Sequence, residues 1–151
     1  MYFILIILII LSDQAIKYVV TANMLLHESI PIINNIFHIT YAQNFGASFS
    51  ILQNQRYFFI AIGSVTIAIL ICVIIRYYKR FDKVLLLSLS LITGGAIGNL
   101  IDRIRLGYVV DFLDFRIWPV FNIADSSIVC GSFLLILYIL WIEPRKQRKG
   151  L

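Results

Sequence analysis

The sequence predicts an all-α membrane protein, with four transmembrane helices and a small extracytoplasmic β-rich segment. Three observations point there. Sixty per cent of the 151 residues are hydrophobic, 14% are charged, and mean hydropathy is +0.90. Such a chain has too little polar surface to cover a soluble globule. Four apolar stretches are each long enough to cross a hydrocarbon core of about 30 Å. Basic residues then cluster at alternate ends of those stretches, as the positive-inside rule requires. The length fits one domain, residues 1–151.

The first span runs over about 2–20, from Tyr2 to Val20. It has no basic stretch before its apolar run, and no small-x-small site closes it, so it reads as a retained anchor rather than a cleaved leader. An outer segment follows over about 21–56. Within it, Asn34 to Gln53 is rich in Ile, Phe, Tyr and Thr, with partial alternation at Ile36, His38 and Thr40. Short strands lying against the membrane surface are expected there. The second span covers about 57–75, the third 84–104 and the fourth 123–142. Pro31, Pro119 and Pro144 all fall outside the spans.

Charge sets the orientation. The short loop after the second span carries Arg76, Lys79, Arg80 and Lys83, and the tail carries Arg145, Lys146, Arg148 and Lys149. Both clusters belong on the cytoplasmic side, which puts both termini there and residues of about 21–56 and 105–122 on the other. Lys17, Arg56, Arg103, Arg105 and Arg116 sit near the outer side and weaken the asymmetry without reversing it. Neither cluster has the aromatic spacing or fold signature of a nucleic-acid site, so no nucleic-acid partner is expected. Cys72 and Cys130 lie inside apolar runs, read as small buried hydrophobes, and are expected to stay free.

The acids stand out against this background. Carboxylates are costly in or beside a bilayer, so an apolar chain that keeps several near its membrane ends has a use for them. Gly95, Asn99 and Asp102 stand at i, i+4 and i+7 and share a face of the third span. Gly94 and Gly98 form a small-xxx-small pair that lets a neighbouring helix approach. Arg103 follows directly. Asp111 comes next, after a short connection through Gly107. Asp125 lies about one turn into the fourth span, with Asn122 three residues before it. Two carboxyls that share a proton form an acid/base pair able to activate water. Asp125, near the positive end of its helix dipole, favours its charged form, which leaves the proton to Asp111. An N-cap or interfacial role is the alternative for either acid alone. Asp13 and Lys17, at i and i+4, read as a supporting ion pair. Asn44 and Gly46 suit a turn. His27 and His38 read as surface or interfacial residues.

Five ordered blocks carry a resemblance that covers nearly the whole chain. They are Ser12-Asp13-Gln14 with Lys17, Asn44-x-Gly46-Ala47-x-Phe49, Gly94-Gly95-Ala96-x-Gly98-Asn99-x-x-Asp102-Arg103, Gly107-x-Val109-x-Asp111-Phe112, and Phe121-Asn122-x-Ala124-Asp125. Together they resemble the lipoprotein signal peptidases, the bacterial signal peptidase II family. The resemblance implies a multi-pass aspartic endopeptidase of the bacterial cytoplasmic (inner) membrane. Its active site would lie at the extracytoplasmic face. It would remove the signal peptide from diacylglyceryl-modified prolipoproteins, on the amino side of the lipidated cysteine. Asp111 and Asp125 would be the catalytic pair. Asn99, Asp102, Arg103, Asn122 and Ala124 would support it, with Asp13, Lys17, Asn44 and Gly46 near the site. A direct role for Asp102 stays open. Neither metal nor organic cofactor is implied. Prolipoprotein and membrane lipid are the expected partners, and a monomer the expected unit. The stretch from Asp111 to Asp125 is a few residues shorter than is usual in the family.

Two other readings compete. A small proton-coupled transporter would spread its carboxylates through the membrane depth, whereas Asp13, Asp102, Asp111, Asp114 and Asp125 group at the outer ends. A membrane scaffold would explain the glycines but not the paired Asn and Asp motifs.

Overall fold

The computed structural model describes residues 1–46 and 55–144. Ala47 and Phe49 of the second block, and the basic residues of the tail, lie outside the described residues. In chain order the elements are α1 (Tyr2–Asn23), β1 (Ser29–Ile33), β2 (Phe37–Asn44), α2 (Arg56–Tyr77), α3 (Lys83–Arg105), β3 (Val109–Asp114) and α4 (Ile123–Leu137). A π-helical segment, Tyr138–Ile142, continues α4. Among the described residues four helices are thus long and apolar enough to cross a membrane, the last counted over Ile123–Ile142.

The four spans divide their work. α3 is the hub: it packs against α1, α2 and α4. Half of its most apolar stretch is buried, against 11% for α2. That fits their sequences. α2 is almost wholly apolar between its terminal arginines and turns most of its surface outward, where lipid solvates it. α3 carries the glycines and hydroxyls that helix contacts in a membrane favour. A side chain at Gly94 would press on Ile9 of α1, and one at Gly95 would collide with the Ala124 carbonyl of α4. Gly131 of α4 likewise lies against the Ser88 carbonyl of α3. The buried Ser88, Ser90 and Thr93 hydroxyls return to the carbonyls of their own helix, so none is stranded in an apolar setting. Cys72 and Cys130 are free, as expected, but exposed on the outside of the helices rather than buried. Each sits on a face without a neighbouring helix.

The three strands form one antiparallel sheet in the order β1-β2-β3. Strands in the segment after α1 were expected. β1 starts earlier than the alternating pattern suggested, and β3 was not foreseen. β3 joins the sheet from the far side of α3, with Ala42 opposite Asp111 and Asn44 opposite Val109. Alternation along β3 then does the positioning. Val110 and Phe112 pack with Val20 and Tyr41 beneath the sheet, which turns Asp111 to the opposite face. Asp114 at the strand end binds Thr40 and Arg116.

Candidate active site

Asn122 is the hinge of the site. It is the N-cap of α4, and its carbonyl oxygen accepts the Asp125 amide at 2.8 Å. Its Nδ2 donates to Asp111 Oδ1 at 2.6 Å. One fully buried side chain therefore positions both acids, through the backbone of Asp125 and the carboxyl of Asp111. Asp125 itself is no cap, as had been the alternative, because Asn122 fills that position. This leaves the Asp125 side chain in the first turn, half-buried.

A second asparagine holds the other acid. Asn99 Nδ2 donates to Asp125 Oδ1 at 2.7 Å, and Asn99 Oδ1 accepts from Asn122 Nδ2 at 3.2 Å and from Lys17 Nζ at 3.1 Å. Both amide orientations are thereby fixed, since only one flip state lets each group donate and accept as observed. From the sheet, Asn44 Nδ2 donates to Asp111 Oδ2 at 3.2 Å. This is a diagonal pair across β2 and β3, two residues out of register and on one face. Asn44 Oδ1 in turn accepts the Gly46 amide at 3.0 Å.

Beneath the pair lies a buried charge cluster. Lys17 Nζ contacts Asp13 Oδ2 and Asp102 Oδ2, each at 2.8 Å. With Asn99 these three acceptors use all three ammonium protons. Asp13 is fully buried and Lys17 is 3% exposed. The pair was expected from the i, i+4 spacing; the third member, Asp102, was not assigned to it. Both oxygens of Asp102 are committed. Oδ1 accepts from Gln14 at 2.8 Å, and Oδ2 from Lys17 and the Val110 amide at 3.1 Å. Asp102 thus fixes the start of β3 one residue before Asp111. Asp13 Oδ1 accepts the Ala124 amide at 3.0 Å, one residue before Asp125. Each buried carboxylate therefore holds the backbone neighbour of one candidate acid.

Arg103 ties the residue pair that follows β2 to the helices. Its Nη2 donates to the Gly46 carbonyl at 2.9 Å and its guanidinium lies 4.9 Å above the Phe59 ring. Two residues escaped the sequence reading. Gln14 stood in the first block but was given no role, and it bridges Asp102 and the Gly98 carbonyl. Arg56 was counted only as a topology charge. It donates to the Arg103 and Ile104 carbonyls at 2.9 and 2.8 Å, neutralising the negative end of α3. It also lies against Gly107, whose φ of +88° makes the turn into β3.

The cluster gathers four carboxyls, Asp13, Asp102, Asp111 and Asp125, around the cations Lys17 and Arg103. An excess of negative charge favours a retained proton. Asp111 is the acid of β3 whose environment raises its affinity for that proton. Burial pushes its carboxyl up to about 7, and the Asp125 charge adds to this against the bonds from Asn44 and Asn122 and the charge of Lys17. The arrangement sets a buried acid with a raised proton affinity beside a more accessible partner, both held by side-chain amides.

The family model described as signal peptidase (SPase) II matches residues 5–141, a stretch that contains every residue of this cluster. The chain belongs to the signal peptidase II family. Curated relatives agree. The lipoprotein signal peptidase of Halothermothrix orenii is 56% identical over 146 residues, covering 96% of this chain and 98% of its own. That of Moorella thermoacetica is 48% identical, covering 93% of each chain. Two solved structures, each titled a bacterial membrane enzyme determined by the in meso method, superpose closely. One at 2.3 Å resolution has a TM-score of 0.85 and 32% identity, covering 92% of this chain and 87% of its own. The other, at 1.9 Å, has a TM-score of 0.82 and 31% identity, covering 93% and 92%. The protein is therefore a multi-pass membrane peptidase of the signal peptidase II type, and the transporter reading finds no support.

Proposed function

We propose that residues 1–151 act as a single peptidase domain, a monomeric aspartic endopeptidase in which Asp111 and Asp125 are the catalytic pair. The observation that carries this is Asn122, which ties the two acids together through one buried amide. The other two carboxyls of the cluster, Asp13 and Asp102, are committed to Lys17 and to backbone amides.

The substrate is a prolipoprotein whose cysteine carries a diacylglyceryl group, and the signal peptide is released on the amino side of that cysteine. Asp125, the more accessible carboxylate, takes a proton from water as the water oxygen attacks the scissile carbonyl carbon. Asp111 donates its proton to the carbonyl oxygen, giving a neutral tetrahedral intermediate. On collapse, the C–N bond breaks, the proton held by Asp125 passes to the leaving amine, and Asp111 recovers its own. Lys17, Asp13, Asp102 and Asn99 keep the pair in place; Asn44, Gly46 and Arg103 hold the sheet and loop over it. The chemistry uses protons alone, so no cofactor enters.

The basic turn Arg76–Lys83 and the basic tail support an orientation with both termini in the cytoplasm and the sheet and acids at the extracytoplasmic face of the inner membrane. A signal peptide is itself an apolar helix, so its cleavage point lies at that depth. Cleavage of diacylglyceryl-prolipoprotein by purified protein, compared with the unlipidated form, tests the reading. Equal turnover of the two forms would contradict the assigned substrate.

A further inference from the structure

The end of the bundle away from the acids has a built feature of its own. α3 is 23 residues long, about 35 Å at 1.5 Å per residue, and it separates the Asp111–Asp125 pair from the α2–α3 turn. At that turn Ile75 through Arg80 line a cavity of about 360 Å³. Arg76, Lys79 and Arg80 line it, and Lys83 follows; all four are exposed. Asp82 is the acid within this stretch and spends one oxygen on the Val84 amide as the cap of α3, so the turn carries a net positive charge.

Two further features mark this end of the bundle. α1 and α3 both begin at this end: Tyr78 at the turn packs edge-on against Tyr2, the first residue of α1, at 6.0 Å. The positive ends of these two dipoles meet the negative end of α2, which stops at Tyr77 of the same turn, so the positive charge there is that of the side chains. The cavity is also flanked by apolar and amphipathic surface. Ile75 is 62% exposed, with Tyr77 and Tyr78 at 40% and 46%. Tyrosines at this level of a span sit where headgroups meet acyl chains.

We propose that this turn is a binding site for the headgroup of an anionic phospholipid, with its phosphate held by Arg76, Lys79 and Arg80 and its acyl chains lying along Ile75. The cations supply charge complementarity. The position at the end of two spans, beside exposed apolar residues, selects a lipid over a soluble phosphate. The site stands apart from the peptidase chemistry and does not depend on it.

The test is lipid retention. Purified full-length protein, stripped in mild detergent, is incubated with phosphatidylglycerol or phosphatidylcholine. After size-exclusion chromatography, the bound lipid is extracted and quantified. Phosphatidylglycerol should be retained about tenfold more than phosphatidylcholine, and an R76Q/K79Q/R80Q variant should lose that preference. Peptidase activity in detergent should be unchanged in the variant. The unaltered protein gives a second reading free of folding effects. At ~1 M salt, where screening acts within about 3 Å, its preference should collapse. Excess glycerol 3-phosphate should not displace the lipid. Equal retention of the two lipids, a preference that survives both the substitutions and the salt, or displacement by glycerol 3-phosphate would overturn the proposal.

Discussion

Lys17 of α1 and Asp102 of α3 form a buried ion pair with an N–O distance of 2.8 Å. The sequence offers only the local partner of this lysine, Asp13, one helical turn away. The distant one makes Lys17 the charge that holds two carboxylates under the candidate site, and it changes what the lysine is worth.

Lys17→Met should be among the most damaging single changes outside the acids themselves. It removes the ammonium that bridges Asp13 and Asp102 and leaves two buried carboxylates without that cation. Breaking a buried pair in this way costs about 3–5 kcal/mol. Thermal unfolding in detergent should show a large drop, or the protein should fail to accumulate. A variant with the parent's unfolding temperature would mean that the two acids carry no charge in the native state.

Asn122 performs two tasks that substitution can separate. Asn122→Ala removes the α4 cap, worth about 1 kcal/mol, together with the bond to Asp111. Asn122→Ser restores a capping oxygen but cannot reach Asp111. Serine should recover part of the stability lost in the alanine variant, while both stay strongly impaired in cleavage. Activity that recovers in step with stability would make Asn122 a cap and nothing more.

The proton on Asp111 sets a pH dependence. Its carboxyl is pushed up to about 7 by burial and by Asp125. A raised native value means that the folded protein holds a proton which the unfolded chain releases. The stability from this group is full below about 4 and is lost as pH rises to about 7. Cleavage that needs the protonated form should fall on the basic side with a midpoint near 7. Asn44 donates to the charged form, so Asn44→Ala should move that midpoint upward. A midpoint that stays still or moves down would show that Asn44 does not tune Asp111.

Gly95→Ala tests the close approach of α3 and α4. The new methyl would collide with the Ala124 carbonyl, next to Asp125, and crowd Ile128. Overpacking of this kind costs about 1–3 kcal/mol. The variant should unfold earlier and cleave more slowly, whereas Gly63→Ala, which meets only Leu100 at ordinary contact distance, should change neither.

The four spans were legible because hydropathy over twenty residues is a local property. The i, i+4 spacing of Asp13 and Lys17 likewise announced their pair. β3 was hidden because Val109–Asp114 is buried along most of its length, so it shows no inside–outside alternation. Its partner β2 lies on the far side of two helices in sequence. The same distance hid the third member of the lysine cluster, the bridging of Gln14 and the clamp of Arg56 on α3, for no short spacing relates α1 to α3 or α2 to the α3 terminus. The two cysteines went the other way. Apolar neighbours suggested burial, yet in a chain of this composition the outside of a helix is apolar as well.

The central claim is that Asp111 and Asp125 together do the chemistry. A gel-shift assay on purified protein with diacylglyceryl-prolipoprotein tests it most directly, comparing the parent with Asp111→Asn and Asp125→Asn, each checked for folding. Processing by the parent, lost in both folded variants, is the predicted result. Full cleavage by either folded variant, with its partner acid intact, would contradict it.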